Sequence, residues 1–256
     1  MLSFRPVSWL YLLVTAVLLV PVLRAQISWY WLLLPLLAYS AVLVPGAMKI
    51  QWNFFVQGIH RGKSAAKQVA LTFDDGPVAH TGTILDILEA HQAPATFFLV
   101  GKNIATGEAM VQRMVAEGHL LGNHSFEHGF WFDLKSAKSM LSELRLTNSL
   151  VKELTGRELR WFRPPYGVTN PNVAKAAARG GYKVIGWSLR SLDTVAKAPD
   201  ALLQRLQQQT HAGAIVLLHD SCAITATVLP AYLQWLKNKG YRVVALDKLI
   251  QHSPYA

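Results

Sequence analysis

The run Val69-Ala-Leu-Thr-Phe-Asp-Asp-Gly-Pro77 decides how the rest of the chain is read. Its apolar stretch is strand-like, and Gly76-Pro77 ends it at once. Asp74 and Asp75 are the first acidic residues in the sequence. Neighbouring residues on a strand point to opposite faces, so at a strand end the two carboxylates can take different tasks, one binding a metal and one moving protons. Downstream lies His124-Ser-Phe-Glu-His128. One aspartate and two histidines make a metal-ligand set with coordination positions to spare, which catalysis requires. Two solvated acids in a turn would explain the doublet alone, but not the doublet together with the histidine pair.

Outward from that run, strands and helices alternate. Strand-like runs are expected at 68–74, 95–101, 119–123, 161–164, 183–189, 214–218 and 242–247. Helical runs are expected at 81–91, 107–117, 135–155, 171–179, 200–211 and 225–239. Gly118, Gly156, Gly180-Gly181, Gly213 and Gly240 follow the helices as stops. This alternation predicts an α/β fold with a parallel sheet, in the form of a slightly incomplete βα barrel of seven strands. Chemistry in such a barrel collects where strands end. Asp74-Asp75, His124 and His128, Arg163-Pro-Pro-Tyr-Gly167, Asp193 and His219-Asp220 all follow strand ends.

Each of these pieces suggests a role. Asp75, His124 and His128 are the expected metal ligands. An ion there lowers the pKa of bound water from about 15.7 toward about 7, leaving Asp74 free to act as general base. Pro164 and Pro165 fix φ and lack N–H groups, so the Tyr166 N–H is the first donor after them and a candidate oxyanion stabiliser. Arg163 can pair with Asp74 and orient it. His219 can protonate a leaving amine, with Asp193 holding it charged. Trp187, Leu189 and Leu218 are read as walls of a small acyl pocket, against the plainer reading of barrel core. Asp220 reads as a structural cap, Arg190 as a surface ion pair and Cys222 as a small residue without thiol chemistry.

Charge and hydropathy bound the rest. The chain has 256 residues, with 25 basic against 15 acidic and a formal charge of +10. Residues 1–73 carry +6 with no acid, and the remainder carries +4. No zinc-finger spacing, RNA-recognition signature or basic helix is present, so the excess speaks for a membrane surface rather than nucleic acid. Residues 6–23 and 25–48 are uncharged. Eighteen residues of helix rise about 27 Å against a bilayer core of about 30 Å. Trp9, Tyr11, Trp29, Tyr30 and Trp31 suit the interface, and Pro21, Pro35 and Pro45 are tolerable in membrane helices. The expectation is a transmembrane hairpin over 1–49, a linker or interfacial segment over 50–67 and a catalytic domain over 68–256. A cleaved signal peptide is disfavoured by Leu23 where a small residue is wanted before Ala25. Lys49, Arg61, Lys63, Lys67 and Arg5 outnumber Arg24 in the turn, which places the protein in a bacterial-type inner membrane with its catalytic domain in the cytoplasm. The single cysteine excludes an intramolecular disulfide.

Together these motifs resemble the polysaccharide deacetylase family, the NodB-homology domain of carbohydrate esterases. Thr72-Phe-Asp-Asp-Gly-Pro77 is similar to its first motif, His124-Ser-Phe-Glu-His128 to its second, Arg163-Pro-Pro-Tyr-Gly167 to its third and Leu218-His219-Asp220 to its last; Asp193 stands at the fourth-motif aspartate. The resemblance covers about residues 68–250. It implies a distorted (β/α)7 barrel and metal-dependent removal of N-acetyl groups from amino sugars. It further implies Asp74 as base, Asp75, His124 and His128 as ligands, His219 as acid, and zinc as the usual metal with cobalt or nickel able to serve. Thr194 departs from the tryptophan that many relatives place after that aspartate. The expected substrate is an N-acetylated glycan or a lipid-linked sugar at a membrane.

Three other readings compete. His124-Ser-Phe-Glu-His128 also fits the H-x-x-E-H pattern of inverted zinc peptidases, with Glu127 as base, but that pattern belongs in a long helix and Gly122 and Gly129 bracket it here. An Asp/His/His set also suits iron oxygenases, for which no oxidant or cosubstrate site is legible. A membrane-anchored glycan-binding module would need a decayed site, whereas every inferred catalytic position is filled.

Overall fold

The computed structural model describes residues 2–63 and 66–256. Helices α1 (Phe4–Leu23) and α2 (Leu33–Met48) come first. They are followed by β1 (Gly58–Ile59), β2 (Gln68–Asp74), α3 (Thr81–Ala90), β3 (Ala95–Leu99), α4 (Gly101–Ala116) and β4 (Leu120–Asn123). Next come α5 (Ala137–Thr155), β5 (Trp161–Phe162), α6 (Pro171–Gly180), β6 (Lys183–Ile185), β7 (Leu189–Arg190) and α7 (Pro199–Gln209). The chain ends with β8 (Ala214–His219), α8 (Ala223–Asn238), β9 (Arg242–Val243) and α9 (Leu246–Ile250).

The strands form one parallel sheet in the order β1-β6-β5-β4-β3-β2-β8-β7, with β9 paired to the first residues of β2. Successive parallel strands joined by helices give the curled (β/α) architecture that the alternation predicts. The seven-stranded barrel is corrected in detail: the sheet has nine strands among the described residues. The expected strand over 183–189 breaks at Gly186-Trp187-Ser188, where the Ser188 N–H donates to Ile215 O and the Ser188 hydroxyl accepts from Ile215 N–H. β5 stops after two residues because Pro164 and Pro165 have no N–H to give a ladder. β1 pairs with β6, and the Gly62 N–H reaches Gly213 O at 2.8 Å, so residues 58–62 cross the gap between β6 and the start of β8.

The period of two along the strands sorts the core into two faces. Val69, Leu71, Phe73, Val216 and Leu218 join Ile84 of α3 and Val228 and Leu229 of α8 in one buried cluster. Ala70, Phe98, Ile215 and Leu217 join Trp187 in another. Each fully buried Phe or Leu contributes about 1.5–3 kcal/mol. That apolar backing is the support on which the polar strand ends are held.

The N-terminal helices attach to this sheet at their base. The Phe4 N–H donates to Phe54 O at 3.0 Å, and the Thr169 N–H donates to Ala47 O at 2.9 Å. Ile50 is buried in the same cluster as Trp187, and Gln51 Nε2 donates to Trp187 O at 2.9 Å. Segments Phe4–Leu23 and Trp29–Met48 are long and apolar enough to cross a bilayer.

Candidate active site and metal centre

Parallel register brings the strand-end motifs to one rim. Asp74 ends β2 opposite His219, which ends β8, and Asn123 ends β4 just before His124. Asp193 follows β7, and Arg163 follows β5. The sequence-predicted polar residues therefore converge from five strand ends.

Arg163 is the organising cation. It is fully buried, so its charge needs complete hydrogen bonding. Nη1 donates to Asp74 Oδ1 and to Thr72 Oγ1, both at 2.8 Å. Nε donates to Ile185 O at 3.2 Å and Nη2 to Gly186 O at 2.9 Å. The guanidinium also lies 4.1 Å over the Phe98 ring. Burial pulls its pKa down, with the charge and hydrogen bond of Asp74 opposing. Asp74 is thus fixed through one oxygen while the other faces His124 Nε2 at 3.7 Å.

Asp75, His124 and His128 each offer a ligand atom, and those atoms lie within 4.8 Å of one another. Asp75 Oδ1 is 3.8 Å from His124 Nε2 and 3.6 Å from His128 Nε2. Ligands about 2.1 Å from a shared ion lie roughly 3–3.5 Å apart, so a small inward movement completes the set. His124 Nδ1 is 2.7 Å from Arg163 O. A carbonyl only accepts, so Nδ1 carries the proton and Nε2 presents its lone pair to the cluster. His128 is pulled down to about 4, first by burial and then by neighbouring His124, so its neutral, ligating form prevails at neutral pH. Asp75 Oδ2 accepts from the Ser221 hydroxyl at 3.0 Å, which leaves Oδ1 for the histidines. Asp74 is as near to His124 as Asp75 is, but its other oxygen is committed to Arg163. The donor set fits a divalent cation.

Backbone strain gathers at the same place. Among the described residues, nine non-glycine positions have positive φ, and five of them are Asp75, Ser125, His128, Tyr166 and Leu192 beside Asp193. Each such conformation costs about 1–3 kcal/mol and persists where surrounding contacts impose it, commonly at functional sites. Loop residues 124–128 are therefore not a long helix. The Glu127 side chain is half exposed, 3.9 Å from Lys102. That arrangement does not match an inverted peptidase.

Across the rim, His219 Nδ1 is 2.7 Å from Asp193 Oδ1. The His219 backbone N–H donates to Asp193 Oδ2 at 2.7 Å, as does the Thr225 hydroxyl. Burial works against charge on His219, but the Asp193 hydrogen bond, with Asp74 and Asp75 adding to it, outweighs burial and raises its pKa. Burial likewise opposes the charge of Asp193, and the His219 contact still holds it below the usual carboxylate range.

Pro165 is buried, and Tyr166 follows with φ 57°. The Tyr166 N–H meets no acceptor among the described residues, and the ring lies 4.9 Å from that of His128. Gly167 has φ 71°, and an added Cβ would fall 2.2 Å from the Trp187 ring, so glycine lets Trp187 pack under the Tyr166 turn. Leu218 is not at the rim. It lies in the helix-facing cluster with Leu189, whereas Leu217 shares the inner face of β8 with His219 and clusters with Trp187. Leu218 and Leu189, expected at an acyl wall, fall by strand parity on the helix-facing side, and Leu217 is the β8 residue that clusters with Trp187. Asp220 is buried and accepts from the Thr81 hydroxyl at 2.6 Å at the start of α3; Gly76 permits it, because a Cβ there would lie 2.2 Å from Asp220 Oδ2. Arg190 lies 5.9 Å over the Trp187 ring rather than in an ion pair.

Several supporting residues have no role in the motif reading. Thr72 shares the face of Asp74 and receives Arg163. Asn103 Nδ2 donates to Asp75 O at 2.8 Å. Ser221 and Thr225 act on Asp75 and Asp193 from the turn after β8 and from α8. Period-two counting from Asp74 and His219 finds Thr72 and Leu217; Asn103, Ser221 and Thr225 become neighbours only through tertiary folding.

Comparison with known proteins identifies the family. A family profile described as polysaccharide deacetylase matches residues 61–185. A peptidoglycan-N-acetylglucosamine deacetylase of Bacillus cereus is 34% identical over 207 residues, covering 77% of this chain and 75% of the relative. Peptidoglycan-N-acetylmuramic acid deacetylase PdaA of Bacillus subtilis is 34% identical over 196 residues, covering 74% of this chain and 73% of the relative. The crystal structure of the Bc1960 peptidoglycan N-acetylglucosamine deacetylase superposes with a TM-score of 0.72 at 30% identity, covering 77% of this chain and 94% of that one. By sequence and by structure, the chain belongs to the polysaccharide deacetylase family.

Proposed function

We propose that the protein hydrolyses the N-acetyl amide of an amino sugar in a membrane-associated glycan or lipid-linked saccharide. The observation that carries this reading is the division of the aspartate pair: Asp75 faces both His124 and His128, while Asp74 has one oxygen committed to Arg163 and the other free beside the cluster. A divalent ion on Asp75, His124 and His128, zinc by ligand type with cobalt or nickel as substitutes, would supply Lewis acidity to water and to the acyl oxygen. Asp74 Oδ2, beside that site, takes a proton from the attacking water. The unpaired Tyr166 N–H donates to the oxyanion, an interaction worth about 2.7–4 kcal/mol at comparable sites. His219, held protonated by Asp193, delivers a proton from Nε2 to the departing amine. Leu217 and Trp187 enclose the acyl methyl. Acetate and a free amino sugar leave.

The membrane part of the proposal rests on α1 and α2. Their apolar side chains, among them Leu10, Leu13, Val17 and Leu37, face outward. A hairpin with both ends on the domain side puts Lys49, Arg61 and Lys63 beside the bilayer and the catalytic domain in the cytoplasm. The test is acetate release from N-acetylated glycan by the full chain, with and without chelator, together with a reporter fused to the C-terminus. Acetate release that survives complete metal removal sinks the mechanism; a periplasmic reporter signal sinks the orientation.

A further inference from the structure

Residues 129–134 carry a patch that the proposed chemistry does not use. Phe130, Trp131 and Leu134 are 68%, 65% and 70% exposed. The loop that bears them is firmly built. Phe132 is buried in the core, and its N–H donates to Gly129 O at 2.9 Å. The Leu134 N–H donates to Trp131 O at 3.1 Å, and Asn170 Nδ2 donates to Asp133 O at 2.6 Å. Exposure here is therefore presentation by a fixed loop.

The loop lies between the site and the base of the helical hairpin. Phe130 packs on Tyr166 with ring centroids 6.1 Å apart, and Tyr166 packs on His128. On the other side, the adjacent residues Thr169 and Asn170 reach Ala47 O, near the end of α2, and Asp133 O. One dipeptide thus joins the helix end to the loop, a span of roughly 10 Å by hydrogen-bond and Cα spacings. Trp52, also exposed, lies beneath the Lys49 ammonium just past the same helix end. Exposed aromatic and aliphatic side chains next to a membrane-entry point suit the headgroup–acyl boundary.

We infer that residues 129–134 form a second membrane contact, which seats the mouth of the site on the bilayer beside the hairpin, so that the site takes an amino sugar carried on a membrane lipid. This rests on the reading of α1 and α2 as membrane spans and narrows the substrate of the same site. A sugar-stacking platform is the rival use of two aromatic rings; it gives no role to Leu134 and does not explain why the patch adjoins the hairpin base.

The test uses the full chain in nanodiscs of equal phosphatidylethanolamine and phosphatidylglycerol with brominated acyl chains. Wild type should lose more tryptophan fluorescence to bromine than Trp131→Phe does. In a separate assay, Phe130→Ser/Trp131→Ser/Leu134→Ser should lower kcat/KM on a lipid-linked N-acetylglucosamine by about tenfold or more, while a soluble N-acetylglucosamine oligomer changes by less than about twofold. Equal losses on both substrates would assign the patch to sugar binding and overturn the inference. So would equal quenching of wild type and Trp131→Phe. Carbonate washing separates the two levels: release of the protein from membranes fails the hairpin and this inference with it, whereas retention with equal quenching fails this inference alone.

Discussion

Asp193 grips His219 at two points, through Oδ1 to the imidazole Nδ1 and through Oδ2 to the backbone N–H, each at 2.7 Å. Thr225 occupies the remaining direction on Oδ2. The first contact fixes the tautomer and the second fixes the strand end, and the charges of Asp74 and Asp75 act on the same imidazole. An imidazole gripped in this way can donate a proton without first reorienting.

The pH dependence follows from the direction of the two shifts. His219 has a raised folded pKa, so its share of the stabilisation is full below its unfolded value of about 6.5 and fades as pH rises through the folded value. Asp193 has a lowered folded pKa, so its share is full above its unfolded value of about 3.9 and fades as pH falls through the folded value. The pair therefore stabilises most between about pH 4 and 6.5. In metal-free protein, the Tm difference between wild type and Asp193→Asn should peak in that window, and the His219 imidazole should titrate at lower pH in the variant by NMR. A flat difference across pH would dissociate the pair from stability.

Asp74→Asn should lower kcat by about 10²–10⁴-fold, the usual range for a general base. It should keep stoichiometric metal, because Asp75, His124 and His128 are untouched. The variant should also melt earlier, since Arg163 stays buried without its counter-charge, a loss of up to about 3–5 kcal/mol when an ion pair is broken in this way. Metal content and Tm read alongside activity separate the three effects. Asp75→Asn should instead lose metal and activity together.

Much of this site was legible before any fold. The Asp74-Asp75 doublet, the His124/His128 pair and the Arg163 turn follow from residue type and strand-end position. Leu218 and Leu217 are told apart by parity alone: adjacent strand residues face opposite layers, and period-two counting from His219 leads to Leu217. The break of the 183–189 strand was invisible because Gly186-Trp187-Ser188 is shaped by Ile59, Ile215 and Arg163, all far away in sequence. Asn103 and Thr225 carry no motif, and only α4 and α8 packing brings them to the site.

Chelation should abolish acetate release and lower Tm. A ligand bound only by the folded state stabilises by about 2.7 kcal/mol at a hundredfold excess over Kd. Zinc should restore both readings, and cobalt or nickel should restore activity in part. Metal that restores Tm without activity would assign the Asp75/His124/His128 cluster a purely structural role.

Glu127→Gln should leave activity within about twofold, as expected for a surface change that removes one exposed ion pair. Loss of activity comparable to that of Asp74→Asn would reinstate a base on the histidine loop and with it the peptidase reading.

Leu217 and Leu218 provide the sharpest contrast, because they are adjacent, chemically identical and equally buried. Truncating either to alanine opens a core cavity and should cost about 2–5 kcal/mol of stability. Stability alone therefore cannot tell them apart. Leu217 belongs to the cluster containing Trp187, on the His219 side of β8, so Leu217→Ala should enlarge the acyl pocket. The ratio of kcat/KM for N-propionyl over N-acetyl substrate should then rise by about tenfold, as one methylene in an apolar pocket is worth roughly 1–3 kcal/mol. Leu218 packs with Phe73 and Val228 beneath the helices, so Leu218→Ala should leave that ratio unchanged at matched folded fraction. Equal ratios in the two variants would remove the inner face of β8 from the acyl pocket, and a change confined to Leu218→Ala would reverse the parity on which Leu217 was placed.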